Sequence, residues 1–478
     1  MRLDELTLQN YRCFEKLTID FHPQLTVLIA PNGAGKTTVL DAARVALWPF
    51  VKGFDLGSQT GKGASIQQDD VRLVKQPDGN MEAQIPSTIR ATGSVLSGSQ
   101  NLAWVQTRER MKAGTSTLGD SVTKSITDMG KKMERAVREQ KVDAPITLPL
   151  ITYLGTSRLW FEGRFTFEAK QTTLDKSAYS RTSGYLNCLS YSSSFKAFST
   201  WYTWVFRSYR ENQMDALERK VELSETGQRF ATAIEVVKTA VDALVTKNTG
   251  WHSLEYSASH NQQLVMWHEK FGVMPVGMLS DGLRNTIAMV ADLAFRAYKL
   301  NPHLGSQAAL QTPGVALIDE VDMFLHPAWQ QTILGSLHAA FPKLQFIVTT
   351  HSPQVLTSVD ASCIRKLVPS TDPKTGQGLV TVENVTTQTR GVASADVLAT
   401  LMSVNPIPDV PEARKLSDYH ALIQQGLHDS EEGFQLRAEL DEHFSPSHPV
   451  MLECDRMIRL QAFKQKLPAL RSPMAGDA

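Results

Sequence analysis

Leu3 to Leu8 alternates apolar and polar residues, the pattern of a half-buried strand, and Leu17-Thr18-Ile19-Asp20-Phe21 alternates again. Leu25-Thr26-Val27-Leu28-Ile29 is instead a compact β-rich run, which suits a central strand covered on both faces. A loop follows, and Val39 to Leu47 reads as a helix. Downstream, alternation between Ile89 and Arg110 predicts further strands, and Glu211 to Lys247 reads as one or two charged amphipathic helices. Asn285 to Leu300 is apolar nearly throughout, as a buried helix is, while Val315–Ile318 and Phe346–Val348 read as buried strands. Strands interleaved with helices predict an α/β protein, whose ligand groups gather at the carboxyl ends of the strands.

The loop after the first buried strand is Ala30-Pro31-Asn32-Gly33-Ala34-Gly35-Lys36-Thr37-Thr38. Strand, glycine loop and helix are the context of a P-loop. Gly33 and Gly35 let successive backbone N–H groups point into one concavity, and the helix N-terminus adds a favourable dipole for phosphate. Lys36 is expected to reach the β- and γ-phosphates of a triphosphate, and Thr37 to offer its hydroxyl to Mg²⁺. Ala30 stands where the pattern has its first glycine. Just upstream, Arg12 sits in a turn between the first two strands; its residues alone leave open a phosphate contact or a solvated surface position.

Val315-Ala316-Leu317-Ile318-Asp319-Glu320 is a strand running into two carboxylates, a Walker B pattern. Asp319 is expected in the Mg²⁺ shell and Glu320 beside the attacking water as general base. A further strand ends at His351, placed to contact a γ-phosphate. Leu279-Ser280-Asp281-Gly282-Leu283-Arg284 precedes the apolar helix, with Ser280 or Asp281 as its N-cap.

Composition narrows the partners. The 478 residues carry 49 basic and 49 acidic side chains, so bulk positive charge does not hold nucleic acid, although a local patch can. Four dispersed cysteines without a C-x-x-C pair fit a reducing compartment better than a disulfide scaffold. With no apolar run of membrane-spanning length and no signal-like start, the chain is expected to be soluble and cytoplasmic, without a membrane role.

Taken in order, Asn10–Phe14, the P-loop, Leu279–Arg284, Asp319-Glu320 and His351 resemble an ABC-type ATPase head of the RecF/SMC class. The stretches Tyr153–Trp160, Leu279–Gly282, Asn301–Gly305, Val348–Val355 and Gly391–Asp396 resemble, more narrowly, the PtuA ATPases of Septu-type and retron-linked anti-phage defence systems. The resemblance implies an ABC-type P-loop ATPase head of two lobes with a mainly helical insertion and an α-rich C-terminal extension. It implies ATP and Mg²⁺ as ligands, held by Arg12, Asn32, Gly33, Ala34, Gly35, Lys36, Thr37 and Thr38, with the cation at Thr37 and Asp319. It further implies head-to-head dimers or higher oligomers, in which Ser280, Asp281 and Gly282 dock on the nucleotide of the partner and Asp322 belongs to a D-loop. Asp281 departs from the common double-glycine signature. The Q-loop glutamine is not identifiable; Tyr153–Trp160 is its expected place, with Arg158 as the polar contact.

Because 244 residues separate Lys36 from Ser280, an insertion is expected between them. The expected division is an N-terminal lobe over 1–157, a helical lid over 158–270, a C-terminal lobe over 271–390 and a partner-docking extension over 391–478. No heptad run is long enough for an SMC coiled coil. From Arg158 to Arg210 there are eight basic residues, three acids and fourteen aromatics; core packing is the stronger reading of these aromatics and a nucleic-acid contact the weaker. Glu431 to Asp455 holds seven acids and one arginine, a solvated face or a docking site for a basic partner. Residues from Ser472 are expected to be disordered.

The family resemblance favours docking, since PtuA-like ATPases work with an HNH nuclease called PtuB. In a retron, a reverse transcriptase and its RNA–DNA hybrid become partners too. The sequence has no D-x-D and no Cys/His cluster of HNH spacing, so no nuclease centre of its own is expected. Two other readings stay open: a RecF-like DNA-maintenance ATPase, and a scaffold that binds ATP without hydrolysing it.

Overall fold

The structure is a computed structural model, and its described residues are 1–478 apart from 57–62, 97–99, 113, 115–116, 140–144, 160–179, 192–194, 372–377 and 467–478. The chain divides into two units, Met1–Val397 and Leu398–Ala478. The glycine-rich 57–62, the aromatic-rich 160–179 and the stretch from Ser472 lie outside the described residues.

The first unit opens with β1 (Arg2–Tyr11) and β2 (Phe14–Asp20), the alternating pair, followed by β3 (Leu25–Ile29) and α1 (Lys36–Val51). β4 (Leu73–Lys75) and β5 (Met81–Ala83) make a small hairpin. β6 (Ser87–Ser94), β7 (Leu102–Arg108) and β8 (Leu118–Gly119) complete an antiparallel sheet in the order β2-β1-β6-β7-β8. After α2 (Ser121–Arg138) comes β9 (Leu150–Leu154). A helical hairpin, α3 (Phe195–Arg219) and α4 (Glu225–Thr249), leads into a three-stranded sheet of β10 (His252–Ser257), β11 (Gln263–His268) and β12 (Gly272–Pro275). The chain returns through α5 (Asp281–Leu300), α6 (Ala308–Gln311), β13 (Gly314–Ile318), α7 (Pro327–Gln330), α8 (Ile333–Ala340), β14 (Leu344–Thr349), α9 (Pro353–Leu356), β15 (Ile364–Thr371) and β16 (Gly378–Asn384).

These last strands join β3 and β9 in a six-stranded sheet of order β16-β15-β3-β14-β13-β9, parallel except for its edge strand β16. β13, β14 and β9 are buried at every position, which explains why the first two read as apolar runs. Their register decides the rest. Thr349 lies opposite Leu28, and Ile318 lies opposite both Val348 and Leu154. The strands that lead into the P-loop, the Walker B turn, His351 and Arg158 therefore end along one edge. Gly314 makes the approach of β9 possible, because a Cβ there would stand 1.8 Å from the Leu150 carbonyl oxygen.

Helix α1 buries 14 of its 16 residues, as a helix covered all round must. Trp104 Nε1 and Gln106 Nε2 of β7 donate to its Ala46 and Val45 carbonyls at 2.9 and 2.7 Å. Gln345 at the start of β14 clips the two large sheets together, accepting from Leu3 N at 2.9 Å and donating to Leu3 O at 2.7 Å. Helix α5 buries 17 of 20 residues. It starts at Asp281, four residues ahead of the apolar run, and Phe198 and Trp201 of α3 pack on its Phe295. Phe198, Trp201, Tyr202 and Phe206, part of the aromatic-rich segment, are thus core residues.

The second unit contains α11 (Pro411–Gln425), α12 (Glu431–Phe444) and α13 (Pro449–Lys466), after α10 (Ser394–Thr400) at the division. Tyr419, Ile423, Leu440, Met451 and Cys454 form its own core. Several of the acids here serve that unit internally: Lys415 pairs with Glu439, Arg437 with Asp441 and Asp455, and Arg456 with Glu453. No helix among the described residues is long and apolar enough to cross a membrane.

Candidate nucleotide site

The loop from Ala30 to Gly35 turns through two left-handed glycines, Gly33 at φ 80° and Gly35 at φ 97°. A Cβ on Gly35 would stand 2.4 Å from Phe14 Cζ and 2.8 Å from Cys13 Sγ, so the turn after β1 packs directly under the loop. A Cβ on Gly33 would meet nothing within 4 Å, so that side of the loop is open. Gly35 is also the N-cap of α1 and supplies no side-chain cap. The N–H groups of the first turn, which have no acceptor within a helix, are left facing the open loop.

Lys36 folds back and donates to the carbonyls of Ala30 and Pro31 at 2.9 and 3.4 Å. Burial lowers its pKa, while Asp319 and Glu320 pull the other way. Thr37 Oγ1 donates to Asp319 Oδ2 at 2.9 Å, joining two residues 282 positions apart. The Thr349 hydroxyl donates to the other carboxylate oxygen, Oδ1, at 2.6 Å. The same hydroxyl accepts the backbone N–H of Glu320 at 2.7 Å. Glu320 holds a left-handed backbone, φ 47°, uncommon for a side-chain-bearing residue and typical of sites where geometry is over-determined. The residues fit a nucleoside triphosphate with its cation: hydroxyl and carboxylate oxygens suit a hard divalent ion, and an uncapped helix end suits phosphate.

The other expected residues take separate places. Asn32 and His351 are exposed at the same sheet edge, while Ala34 is buried. Thr38 is buried. Arg12 is held by two carboxylates, Asp41 on α1 at 2.5 Å and Asp70 at 2.8 Å. Ser280 is the N-cap of α5 by backbone conformation, but its hydroxyl makes no cap bond. Ser280 and Asp281 are exposed, and Asp281 pairs with Arg284. Gly282 is buried against the loop after β13, where a Cβ would stand 2.4 Å from the Phe324 carbonyl oxygen. Burial raises the pKa of Asp322, while a bond from Thr350 and the charges of His351 and Arg158 oppose the shift. Asp322 Oδ1 is buried without a hydrogen-bond partner.

Arg158 does not reach outward as a Q-loop contact. It is buried, and its guanidinium donates to the carbonyls of Asp319 at 2.6 Å, Glu320 at 2.7 Å and Gly155 at 3.1 Å. Burial lowers its pKa to about 10. Thr349 and Asn285 escaped assignment from sequence, and Arg158 takes a role other than the one expected. Thr349 had one available signal, a polar residue ending an apolar strand; the bonds of Arg158 and Asn285 to backbone carbonyls leave no pattern.

A family model described as "AAA domain" matches residues 5–239, and one described as "AAA domain, putative AbiEii toxin, Type IV TA system" matches 170–357. The "Retron Ec83 probable ATPase" of Escherichia coli is 26% identical, across 95% of this chain and 86% of its own. The "Retron Vc95 probable ATPase" of Vibrio cholerae is 24% identical, across 93% and 88%. The Septu protein PtuA of Bacillus thuringiensis is 24% identical over 38% of this chain and 44% of its own. This chain is similar to the retron ATPases over nearly its whole length and to PtuA over part of it. Among solved structures, a Pyrococcus furiosus Smc head domain bound to the C-terminal domain of ScpA aligns with a TM-score of 0.46 at 13% identity, over 80% of this chain and 96% of that one. In this PtuA-like chain the P-loop and Walker B turn belong to the first unit, on the six-stranded sheet.

Proposed function

We propose that this chain binds ATP with Mg²⁺ and hydrolyses it as the regulatory subunit of an anti-phage defence complex, controlling a partner nuclease of the HNH type. The observation that carries the ATPase reading is the meeting of Thr37, Asp319 and Thr349 beside the uncapped P-loop helix. The defence setting is supported by the retron and Septu relatives. In a retron setting, the reverse transcriptase and its RNA–DNA hybrid join the complex.

In this reading the loop N–H groups of residues 33–38 and the Lys36 ammonium bind the phosphates, and Lys36 gives up its loop carbonyls to do so. Thr37 and Asp319 hold Mg²⁺, which supplies charge neutralisation at the phosphates when bound. Glu320 orients the attacking water and accepts its proton, and His351 contacts the transferred phosphoryl group. Two copies of the first unit pair head to head. The exposed Ser280 and Asp281 support docking on the nucleotide of the partner copy, with Asp322 in the adjoining loop. Arg12 steadies the loop through Asp41 and Asp70, and the second unit receives the nuclease.

The test is turnover by the Glu320→Gln protein beside the unaltered one. Nucleotide binding is expected to persist while hydrolysis slows by at least a hundredfold. Unchanged hydrolysis removes Glu320 from the mechanism. Purification with neighbouring gene products, with and without ATP, tests the partner: DNA-stimulated turnover without any bound nuclease replaces the defence reading by DNA maintenance.

A further inference from the structure

Arg158 stands where β9, the Walker B turn and α5 meet, and its guanidinium donates to four protein oxygens. Beyond the three carbonyls already given, its Nε donates to Asn285 Oδ1 at 2.6 Å. Asn285 is fully buried one turn into α5, and its own Nδ2 donates to the Met323 carbonyl at 3.0 Å. Two side chains therefore stitch both ends of the segment from Asp319 to Met323 to the helix that presents Ser280. A planar guanidinium suits this task, since its five donors are fixed in direction and four of the bonds run to different acceptors. Glu320 sits inside the stitched segment with its left-handed backbone, gripped at its N–H by Thr349 and at its carbonyl by Arg158.

We propose that Arg158 is a positioning residue that, through Asn285, locks the Glu320 turn to α5, so that a shift of the signature end of the helix reaches the hydrolytic carboxylate of the same chain. The inference rests on the reading of Glu320 given above. In a head-to-head pair, Ser280 of one chain faces the nucleotide of the other. The lock then makes hydrolysis at one nucleotide respond to docking at the second. The coupling has a physical carrier, a short run of buried hydrogen bonds with fixed geometry, rather than distance alone.

The test uses the full chain and four variants: Asn285→Ala, Asn285→Asp, Arg158→Lys and the Asn285→Ala/Arg158→Lys double. Each is measured for kcat, KM, binding of a fluorescent ATP analogue and thermal unfolding. Asn285→Ala is expected to lower kcat about tenfold, with nucleotide affinity within about twofold of the unaltered chain. Asn285→Asp keeps the acceptor for Arg158 but not the donor to Met323, and is expected to recover part of that loss. The double variant is expected to be no slower than the slower single, because both changes break one connection. If Asn285→Ala does not fold, the Arg158→Lys protein carries the same kcat-against-affinity comparison. Full kcat in Asn285→Ala, an Asn285→Asp protein as slow as the alanine variant, or losses confined to unfolding temperature would overturn the proposal. Glu320→Gln is assayed in parallel. A fully active Glu320→Gln protein removes the reading of Glu320 on which the lock rests, whereas an inactive one beside a normal Asn285→Ala protein sinks only the lock.

Discussion

Thr349→Val is the substitution that most directly weighs the Walker B turn. Valine is nearly isosteric and keeps the β-branched shape that β14 favours, so the change removes a hydroxyl and little else. That hydroxyl is fully buried and makes two bonds, one donated to the Asp319 carboxylate and one accepted from the Glu320 N–H. A bond to a charged group contributes about 1.5–3 kcal/mol and a neutral one about 0.5–1.5 kcal/mol, and both partners are left without that bond. The expected destabilisation is therefore about 2–4 kcal/mol, measured by urea unfolding of the first unit. Thr349→Ser keeps the hydroxyl and loses one methyl group, a cost of about 1 kcal/mol. The two variants should also separate in turnover. Without the hydroxyl the left-handed Glu320 backbone loses the hydrogen bond at its N–H, so kcat of the valine protein should fall well below that of the serine protein at equal nucleotide affinity. Equal stability and equal kcat in the two variants would refute the argument, because the hydroxyl would then contribute nothing.

Asp322→Asn should stabilise the fold at neutral pH while impairing hydrolysis. The folded-state pKa of Asp322 is raised by burial, so its charge is a penalty above that pKa, and the penalty fades as falling pH protonates the group. Unfolding titrations from pH 7 to 4 should show the gain of the asparagine protein shrinking towards the acid end; a gain that grows there contradicts the sign. Leu440→Ala removes a buried side chain from the core of the second unit and should cost about 2–5 kcal/mol. Calorimetry should show an early transition for that unit, with ATP-analogue binding by the first unit unchanged; loss of binding would mean that the two units do not fold separately.

What was legible in the residues was local. The P-loop announces itself because phosphate binding needs glycines, a lysine and a hydroxyl within one turn of chain, and the buried parallel strands announce themselves because covering both faces demands continuous apolar runs. Alternation likewise disclosed β1 and β2, and the charged amphipathic stretch disclosed α4. Tertiary structure decided everything that depends on strands remote in sequence lying in register. The pairing of Ile318 with both Val348 and Leu154 brings Asp319, Thr349 and Arg158 to one edge, and no local pattern encodes that alignment. It also turned Arg158 inward and engaged Arg12 with Asp41 and Asp70, where sequence allowed an outward role for each. The physical reason is the same in each case. A guanidinium or hydroxyl is satisfied by whichever carbonyl or carboxylate the fold delivers, and the backbone offers such acceptors at every residue.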